Sequence, residues 1–365
     1  MLLPAVLLPG VAHADATVRV MSWNVWGIPY VSDDVEGRMA RIVPAIAEHA
    51  PDVVALQEVW EAEHGDRLAA DFRAGGWPHV RHFRGEGRKG GLLIASRHPF
   101  RELGYVRFSM GDLPLVPWHV DWMADKGVAR VRIDHPRGSF TFANTHLQAA
   151  YIGRRGYVTT RLSQAMELAR TLAGDAGPLV LAGDINTRTN ELGFRALQAR
   201  ARVLDAGIGA RVDAIMQRGF EVRSRAILFD EDRDVNGVAM PLSDHNAVMA
   251  DLVATEAPAP FLRWSEVRRE VEAYLARDTS ATKNVGIGVR FVSLVFAGAF
   301  AVWARKRRRR WWRLYWKRGA AFSFAAALLL YLGFAYFPRT EKHMADTAQQ
   351  LEAEDTDLLA LADTD

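Results

Sequence analysis

The sequence predicts an α/β domain over residues 15–254, followed by two apolar segments long enough to cross a membrane. Three observations carry this reading. Strand-like apolar runs alternate with amphipathic helical stretches as far as residue 254, the pattern of mixed sheets covered by helices. Five of the runs end on an acid, an amide or a histidine. Beyond them, 284–304 and 319–338 are apolar and flank a strongly basic loop.

Residues 1–14 are apolar, contain no acid or base before His13, and close on Ala12-His13-Ala14, with small residues where a signal peptidase reads. They are expected to form a signal peptide. Strands are expected at 18–23, 53–58, 91–96, 128–133, 140–146, 179–182, 213–216 and 247–252, where β-branched and aliphatic residues cluster. Helices are expected at 37–49, with Met39, Ile42, Val43 and Ile46 on one face, and at 158–172, with Leu162, Ala165, Leu168, Ala169 and Leu172. Strand–helix–strand units ending in polar residues occur twice, from Asn24 to Glu58 and from His146 to Asp184, a hint of coarse duplication.

Residues 255–283 begin as a Pro/Ala-rich linker and continue into a juxtamembrane helix, with Val267, Val271, Tyr274 and Leu275 at helical spacing. Segment 284–304 has one charge, Arg290, and 319–338 has none; at ~1.5 Å per residue each spans a ~30 Å hydrocarbon core. Loop 305–318 carries nine basic residues with Trp311, Trp312, Tyr315 and Trp316, so the positive-inside rule places it in the cytoplasm. Two crossings then leave 15–283 and the acidic tail 339–365 outside it, which agrees with a signal peptide. Residues 15–283 are expected to be extracytoplasmic, periplasmic or at the cell surface.

The whole chain of 365 residues has a net charge of +3, but 1–283 holds 34 basic and 35 acidic residues. A body this balanced lacks the excess positive charge that dominates nucleic-acid affinity, so no nucleic-acid partner is expected. Cysteine is absent, which excludes disulfides and thiolate metal sites.

The polar strand ends are SWNVWG with Asn24, VVALQEVW with Gln57 and Glu58, FANTHLQ with Asn144 and His146, VLAGDIN with Asp184 and Asn186, and PLSDHNAV with Asp244 and His245. Singly, each is an ordinary turn, cap or satisfied core histidine. Together they are economically explained by one shared site, because carboxylates and imidazoles are costly to bury unless paired or bound to a cation. Asp, Glu and Asn oxygens suit a hard cation such as Mg²⁺, with Mn²⁺ or Ca²⁺ as alternatives. A hard cation beside a histidine base fits phosphoryl transfer to water. Neighbours on a strand face opposite ways, so Asp244 does not automatically orient His245, and an acid from another strand is needed.

In order, WNVWG, LQEVW, NTHLQ, GDIN, RVDAI and LSDHNAV resemble the motifs of the endonuclease/exonuclease/phosphatase superfamily across 18–252. The stretches VRVMSWNVWGIPY, KGVARVRI and PLSDHNAVMADL resemble its neutral sphingomyelinases, one animal branch of which also carries two C-terminal membrane helices. The resemblance implies a four-layer α/β/β/α sandwich of the DNase I type and a Mg²⁺-dependent phosphodiesterase acting on a membrane phospholipid. It implies Glu58 as principal metal ligand, aided by Asn24, which also reaches the phosphate, and by Asp244. His146 would donate to phosphate oxygens, and Asp184 and Asn186 would position water and phosphate. His245 would be the general base, Asp213 its orienting acid, and Lys126 a substrate-side cation with Asp121 as partner.

Animal members read His-Leu-His-Ala-Glu-Tyr where this chain has His146-Leu147-Gln148-Ala149-Ala150-Tyr151, which leaves the head group open among sphingomyelin, another phosphosphingolipid and a glycerophospholipid. Segment 113–123, LPLVPWHVDWM, reads equally as a membrane-dipping loop or as core packing. Two other functions stay open: an exported nuclease of the same fold and a non-catalytic membrane-tethered scaffold.

Overall fold

The computed structural model describes residues 17–29, 32–84, 90–111, 124–150, 157–256 and 260–306, with isolated positions beyond. The expected signal peptide, segment 113–123 with Asp121, the basic loop from 307 onward and nearly all of 319–365 lie outside the described residues.

Two six-stranded sheets stack face to face. From edge to edge one runs β11 (Phe220–Leu228), β14 (Ala247–Ala254), β1 (Thr17–Asn24), β2 (Val53–Gln57), β4 (Leu92–Ser96), β3 (His79–Phe83). The other runs β5 (Phe100–Arg107), β6 (Gly127–Ile133), β7 (Phe140–His146), β8 (Leu179–Asp184), β10 (Asp213–Arg218), β9 (Leu204–Asp205). Alternation along the strands sends one set of side chains inward, where Val20, Val53, Ala55 and Ile94 of the first sheet meet Val131, Phe142, Val180 and Ile215 of the second.

The opposite faces are covered by helices. On the first sheet, Met39, Ile42 and Ile46 of α1 (Val35–Ala47) and Leu68 and Phe72 of α2 (Ala62–Ala74) pack against Met21, Trp23, Val54 and Leu56. On the second, Ala165, Leu168 and Leu172 of α3 (Val158–Ala173) and Phe194 and Leu197 of α4 (Leu192–Ala201) pack against Ala143, Leu181 and Met216. These are the four layers α/β/β/α that the motifs imply.

Each sheet has a parallel pair at its centre, joined through a helix. β1 lies beside β2 with Asn24 opposite Gln57, and β7 beside β8 with His146 opposite Asp184. The sequence-level duplication thus corresponds to one such unit in each sheet, and both units end at the same end of the sandwich. A buried polar bridge holds the two units together there. Asn144 Nδ2 donates across the interface to Leu56 O (2.9 Å) and Leu93 O (3.0 Å), and Gln57 Nε2 donates back to Asn144 Oδ1 (2.8 Å).

After the linker, α5 (Trp264–Lys306) is one continuous helix of 43 residues, so the expected juxtamembrane helix and first membrane segment are not separate elements. Its first turns join the folded body: Val267, Val271 and Leu275 are buried against Leu162 and Met166 of α3 and Ala196 and Ala199 of α4. Arg195 and Glu270 pair at 2.7 Å beside them. Farther along, Val285, Ile287, Phe291 and Leu294 are exposed. Among the described residues no helix is long and apolar enough to cross a membrane.

Asn144→Ala would take the buried amide donor away from two main-chain carbonyls, Leu56 O and Leu93 O, and leave the Gln57 amide nitrogen only its longer bonds to Ser22 Oγ and Ala55 O. At ~1–3 kcal/mol for each buried group left unpaired, the unfolding free energy should fall by at least about 2 kcal/mol, as read by denaturant titration. A loss below about 0.5 kcal/mol would show that the bridge does not join the sheets energetically.

Candidate active site

The topology gathers the polar strand ends at one place. The parallel strands β1, β2, β7 and β8 all finish at this end of the sandwich, and β10 and β14 run antiparallel to their neighbours, so their beginnings arrive there. The register between β8 and β10 sets Asp213 directly opposite Asp184. His245 lies two residues before β14.

Strained and crowded backbone completes the site. Strand β2 was expected to run through Glu58, but it stops at Gln57, because Glu58 turns into the left-handed region at φ 63°. Trp26 and Asn186 adopt the same conformation, at φ 50° and 49°. Non-glycine residues seldom hold it unless their surroundings compel it, and such positions cluster at functional sites. Gly27 is required by close approach: a Cβ there would lie 2.3 Å from Glu58 O.

Asp184, almost wholly buried, is the centre of the cluster. Its Oδ2 lies 3.1 Å from Asn24 Nδ2, 3.3 Å from His146 Nε2 and 3.9 Å from His245 Nε2, while Oδ1 accepts from Asn186 N at 2.9 Å. Asn24 Nδ2 also donates to Glu58 Oε1 at 3.1 Å. Because Trp26 N, a donor only, contacts Asn24 Oδ1, the amide nitrogen faces the carboxylates. Asn24 therefore holds two acids side by side rather than presenting its oxygen to an ion.

His245 Nδ1 lies 2.8 Å from Asp213 Oδ2, supplying the orienting acid from another strand. Burial lowers the pKa of His245, but the charge of Asp184 and the hydrogen bond and charge of Asp213 outweigh it and raise it to about 10. Burial raises that of Asp184, with Asp213 adding to the effect. His146 is the reverse case. Burial, then the charges of Lys126 and His245, hold it well below the usual histidine range and keep it neutral. Lys126 Nζ donates to His146 Nε2 at 2.7 Å and lies 5.8 Å from the Trp60 ring centroid, so the His146 proton resides on Nδ1. That Nδ1 has no hydrogen-bond partner among the described residues.

Asn24, Glu58, Lys126, His146, Asp184, Asn186, Asp213 and His245 are thus brought together. Asn186 faces away from the acids, with Nδ2 donating to Leu147 O at 3.0 Å. Asp244 stands at the margin: it is exposed and reaches the cluster through its charge, which adds to the rise in the His245 pKa. Asp184, Asp213 and His245 each offer a ligand atom, all within 4.8 Å of one another, and Asp213 Oδ1 is buried without a hydrogen-bond partner. Glu58 and Asp184 present oxygens to one shared amide nitrogen. Concentrated buried anionic oxygen with spare acceptor capacity fits a hard divalent cation.

Three contributors were missed from sequence. Trp60 borders Lys126 and His146, with 6.1 Å between the Trp60 and His146 ring centroids. Ser243 Oγ donates to Asn24 O at 2.6 Å and accepts from His245 N at 3.1 Å. Arg38 is fully buried behind the site. Its signal was available, since it precedes Ile42 by four residues and so shares the apolar face of α1.

A sequence profile of the Endonuclease/Exonuclease/phosphatase family matches residues 21–245, from β1 to His245. The chain belongs to this family. It is 29% identical over 269 residues to a putative neutral sphingomyelinase of Drosophila melanogaster, covering 64% of this chain and 60% of that one. It is 30% identical over 203 residues to an inositol phosphosphingolipids phospholipase C of Schizosaccharomyces pombe, covering 54% and 48%. The chain thus spans about half to two thirds of the length of these relatives. The fold is also that of sphingomyelinase C from Streptomyces griseocarneus, with TM-score 0.50, 18% identity, and coverage of 64% of this chain and 99% of that one.

In the metal-free protein Asp213→Asn should bring the His245 pKa down from about 10, because it removes one of the three carboxylates that raise it, the one that also accepts its hydrogen bond. Histidine NMR titration in EDTA reads this shift; an unchanged pKa would mean that Asp213 does not hold the proton. The sign for stability follows. A histidine raised in the folded state stabilises it fully below its usual value of 6.5, and that contribution is lost as pH rises through about 10.

Proposed function

We propose that this family member is a divalent-cation-dependent phosphodiesterase of the sphingomyelinase type, which cleaves a phosphosphingolipid on the lipid side of its phosphate. The observation that carries the reading is the Asp213–His245 pair, with the outward nitrogen of the imidazole directed at the acid cluster of Asp184, Asn24 and Glu58. A base aimed at a cation-binding pocket is what hydrolysis of a phosphodiester requires. The names of the relatives support the lipid substrate, and the near-neutral body supports it over nucleic acid.

Glu58 and Asp184 would hold the cation, Mg²⁺ by the all-oxygen character of the donors, with Asn24 setting their spacing. When bound, the ion supplies positive charge that offsets the two carboxylates and a phosphate oxygen and eases the departure of the lipid alkoxide. His245 Nε2 takes a proton from the attacking water as the water oxygen bonds to phosphorus. Asp213 accepts the hydrogen bond of Nδ1–H, keeps its negative charge and so stabilises the imidazolium that forms. The bond from phosphorus to the lipid oxygen breaks, the alkoxide takes up a proton, and ceramide and a phosphorylated head group leave. Lys126, with His146 beneath it, places a fixed positive charge where phosphate oxygens become more negative. The carboxylates that raise His245 to about 10 keep it protonated at neutral pH in the metal-free site, so the base becomes competent only as their charge is offset.

Membrane attachment through residues 284–338, with the catalytic body outside the cytoplasm, is the second element of the proposal. It rests on the hydropathy and charge pattern of the sequence and on the exposed Val285, Ile287, Phe291 and Leu294 of α5.

The test is hydrolysis by the full chain in mixed vesicles of sphingomyelin, ceramide phosphoethanolamine and glycerophospholipids, with and without Mg²⁺, and plasmid DNA in parallel. Mg²⁺-dependent release of a phosphorylated head group is expected. His245→Ala should lower kcat by ~10²–10⁴-fold, the usual worth of a general base, and Glu58→Gln should raise the Mg²⁺ concentration needed for half-maximal rate. Cleavage of DNA alone would replace the proposal with a nuclease; no turnover of any substrate would favour a scaffold.

A further inference from the structure

Behind the acid cluster, α1 delivers a guanidinium into a wholly enclosed position. The hydrogen bonds of Arg38 among the described residues all go to main-chain carbonyls, while the charges of Asp244, Asp34, Asp33 and Glu58 act on it from a distance. Nε donates to Asp33 O at 2.7 Å, Nη1 to Val25 O at 3.0 Å and Leu242 O at 2.8 Å, and Nη2 to Trp26 O at 2.9 Å. A permanently charged group that gives up water for carbonyls alone is costly to bury, so its geometry carries weight. Three of the four acceptors come from two chain segments far apart in sequence. Val25 and Trp26 directly follow Asn24, and Leu242 stands three residues before His245. Ser243, next to Leu242, closes the same junction from the other side through Asn24 O and His245 N, and Trp23 Nε1 donates to His245 O at 2.9 Å.

We propose that Arg38 is a positioning residue, and that its guanidinium, with the Ser243 hydroxyl, clamps the turn after Asn24 to the turn before His245 and so fixes the general base relative to the acid cluster. Neither side chain touches a reacting atom. Both act through main chain: Arg38 holds the left-handed Trp26 and the carbonyl of Leu242, and the rigid result aims Nε2 of His245 at Asp184. The fork geometry is essential, because an ammonium has three donors on one atom and cannot span carbonyls on two segments in a plane. The proposal rests on His245 acting as the base, and its test keeps a readout independent of turnover.

The experiment compares full-length wild type, Arg38→Lys and Ser243→Ala by sphingomyelin-vesicle kinetics with Mg²⁺, thermal unfolding, and NMR of the histidine-labelled protein. The NMR signal is the downfield Nδ1 proton of His245 in its bond to Asp213, assigned by its loss in His245→Ala. For folded Arg38→Lys, kcat should fall ~10²-fold with KM unchanged, as for an ~1 Å misplacement, and the Nδ1 signal should broaden or disappear. Ser243→Ala, which removes one hydroxyl and leaves the core intact, should lose about tenfold in kcat in the same direction. A folded variant with wild-type kcat and an unaltered signal overturns the proposal, as does a loss confined to unfolding temperature, the result of a purely structural role. If Arg38→Lys does not fold, Ser243→Ala decides by the same two readouts. If the wild type is inert on every lipid, the sphingomyelinase reading fails, and the Nδ1 signal alone decides on the clamp.

Discussion

A carboxylate almost without solvent contact, Asp184, is the constraint to which the rest of the site is fitted. Its two oxygens face an asparagine, two histidines and a main-chain amide, drawn from both sheets. A charge in that position is tolerable only if its partners are rigidly held, since each missing hydrogen bond would leave desolvation uncompensated. The inter-sheet bridge of Asn144 and Gln57 directly below, and the close approach of Gly27 to Glu58, supply that rigidity. Strain at Trp26, Glu58 and Asn186 is its local cost.

The two parallel units explain why a single site collects residues from motifs spread over more than two hundred positions. In each unit the strand ends carry polar groups to the same edge, and stacking the sheets sets Asn24 and Glu58 of one against His146 and Asp184 of the other. The two antiparallel additions, β10 and β14, bring Asp213 and His245 in from the opposite direction. A histidine and its orienting acid on adjacent sequence positions could not have met in this way. With Asp213 at the start of β10 and His245 just ahead of β14, in separate sheets, they face each other at 2.8 Å.

Much of this was legible in the sequence for a physical reason. The central strands are buried on both faces and read as apolar runs, and polar residues that interrupt such runs are expensive, so they mark the site. The elements that escaped notice are those whose periodicity is diluted. Edge strands β5, FRELGYVR, and β11, FEVRSRAIL, carry charges along most of their length, as unpaired edges do, and α2 has a narrow apolar stripe. The extent of α5 escaped for a different reason: composition divided it into a polar and an apolar half, but no Pro or adjacent Gly pair breaks the helix between them. Ser243 escaped because a turn serine is an ordinary solvent-facing residue; the place of Arg38 on the apolar face of α1 was legible, but only tertiary contact reveals where its donors go.

The electrostatics of the cluster make its parts interdependent. Asp184 and Asp213 raise His245, and His245 in turn helps keep Asp184 ionised against burial and the repulsion of Asp213. Without a cation the imidazolium, with Lys126, is an internal counter-charge of the site, a role incompatible with the proposed service as a base. A cation among the same oxygens would take over the counter-charge and leave the imidazole free to accept a proton. In the proposed mechanism the charge that neutralises the acids at rest and the charge that would drive hydrolysis are therefore alternatives, and exchanging one for the other would require that His245 keep its place when it loses its proton. Its backbone is held from three sides independently of ring charge, by Ser243, by Trp23 and, through Leu242, by Arg38. A base secured by its side-chain charge alone would drift when that charge was removed; one secured through the main chain does not.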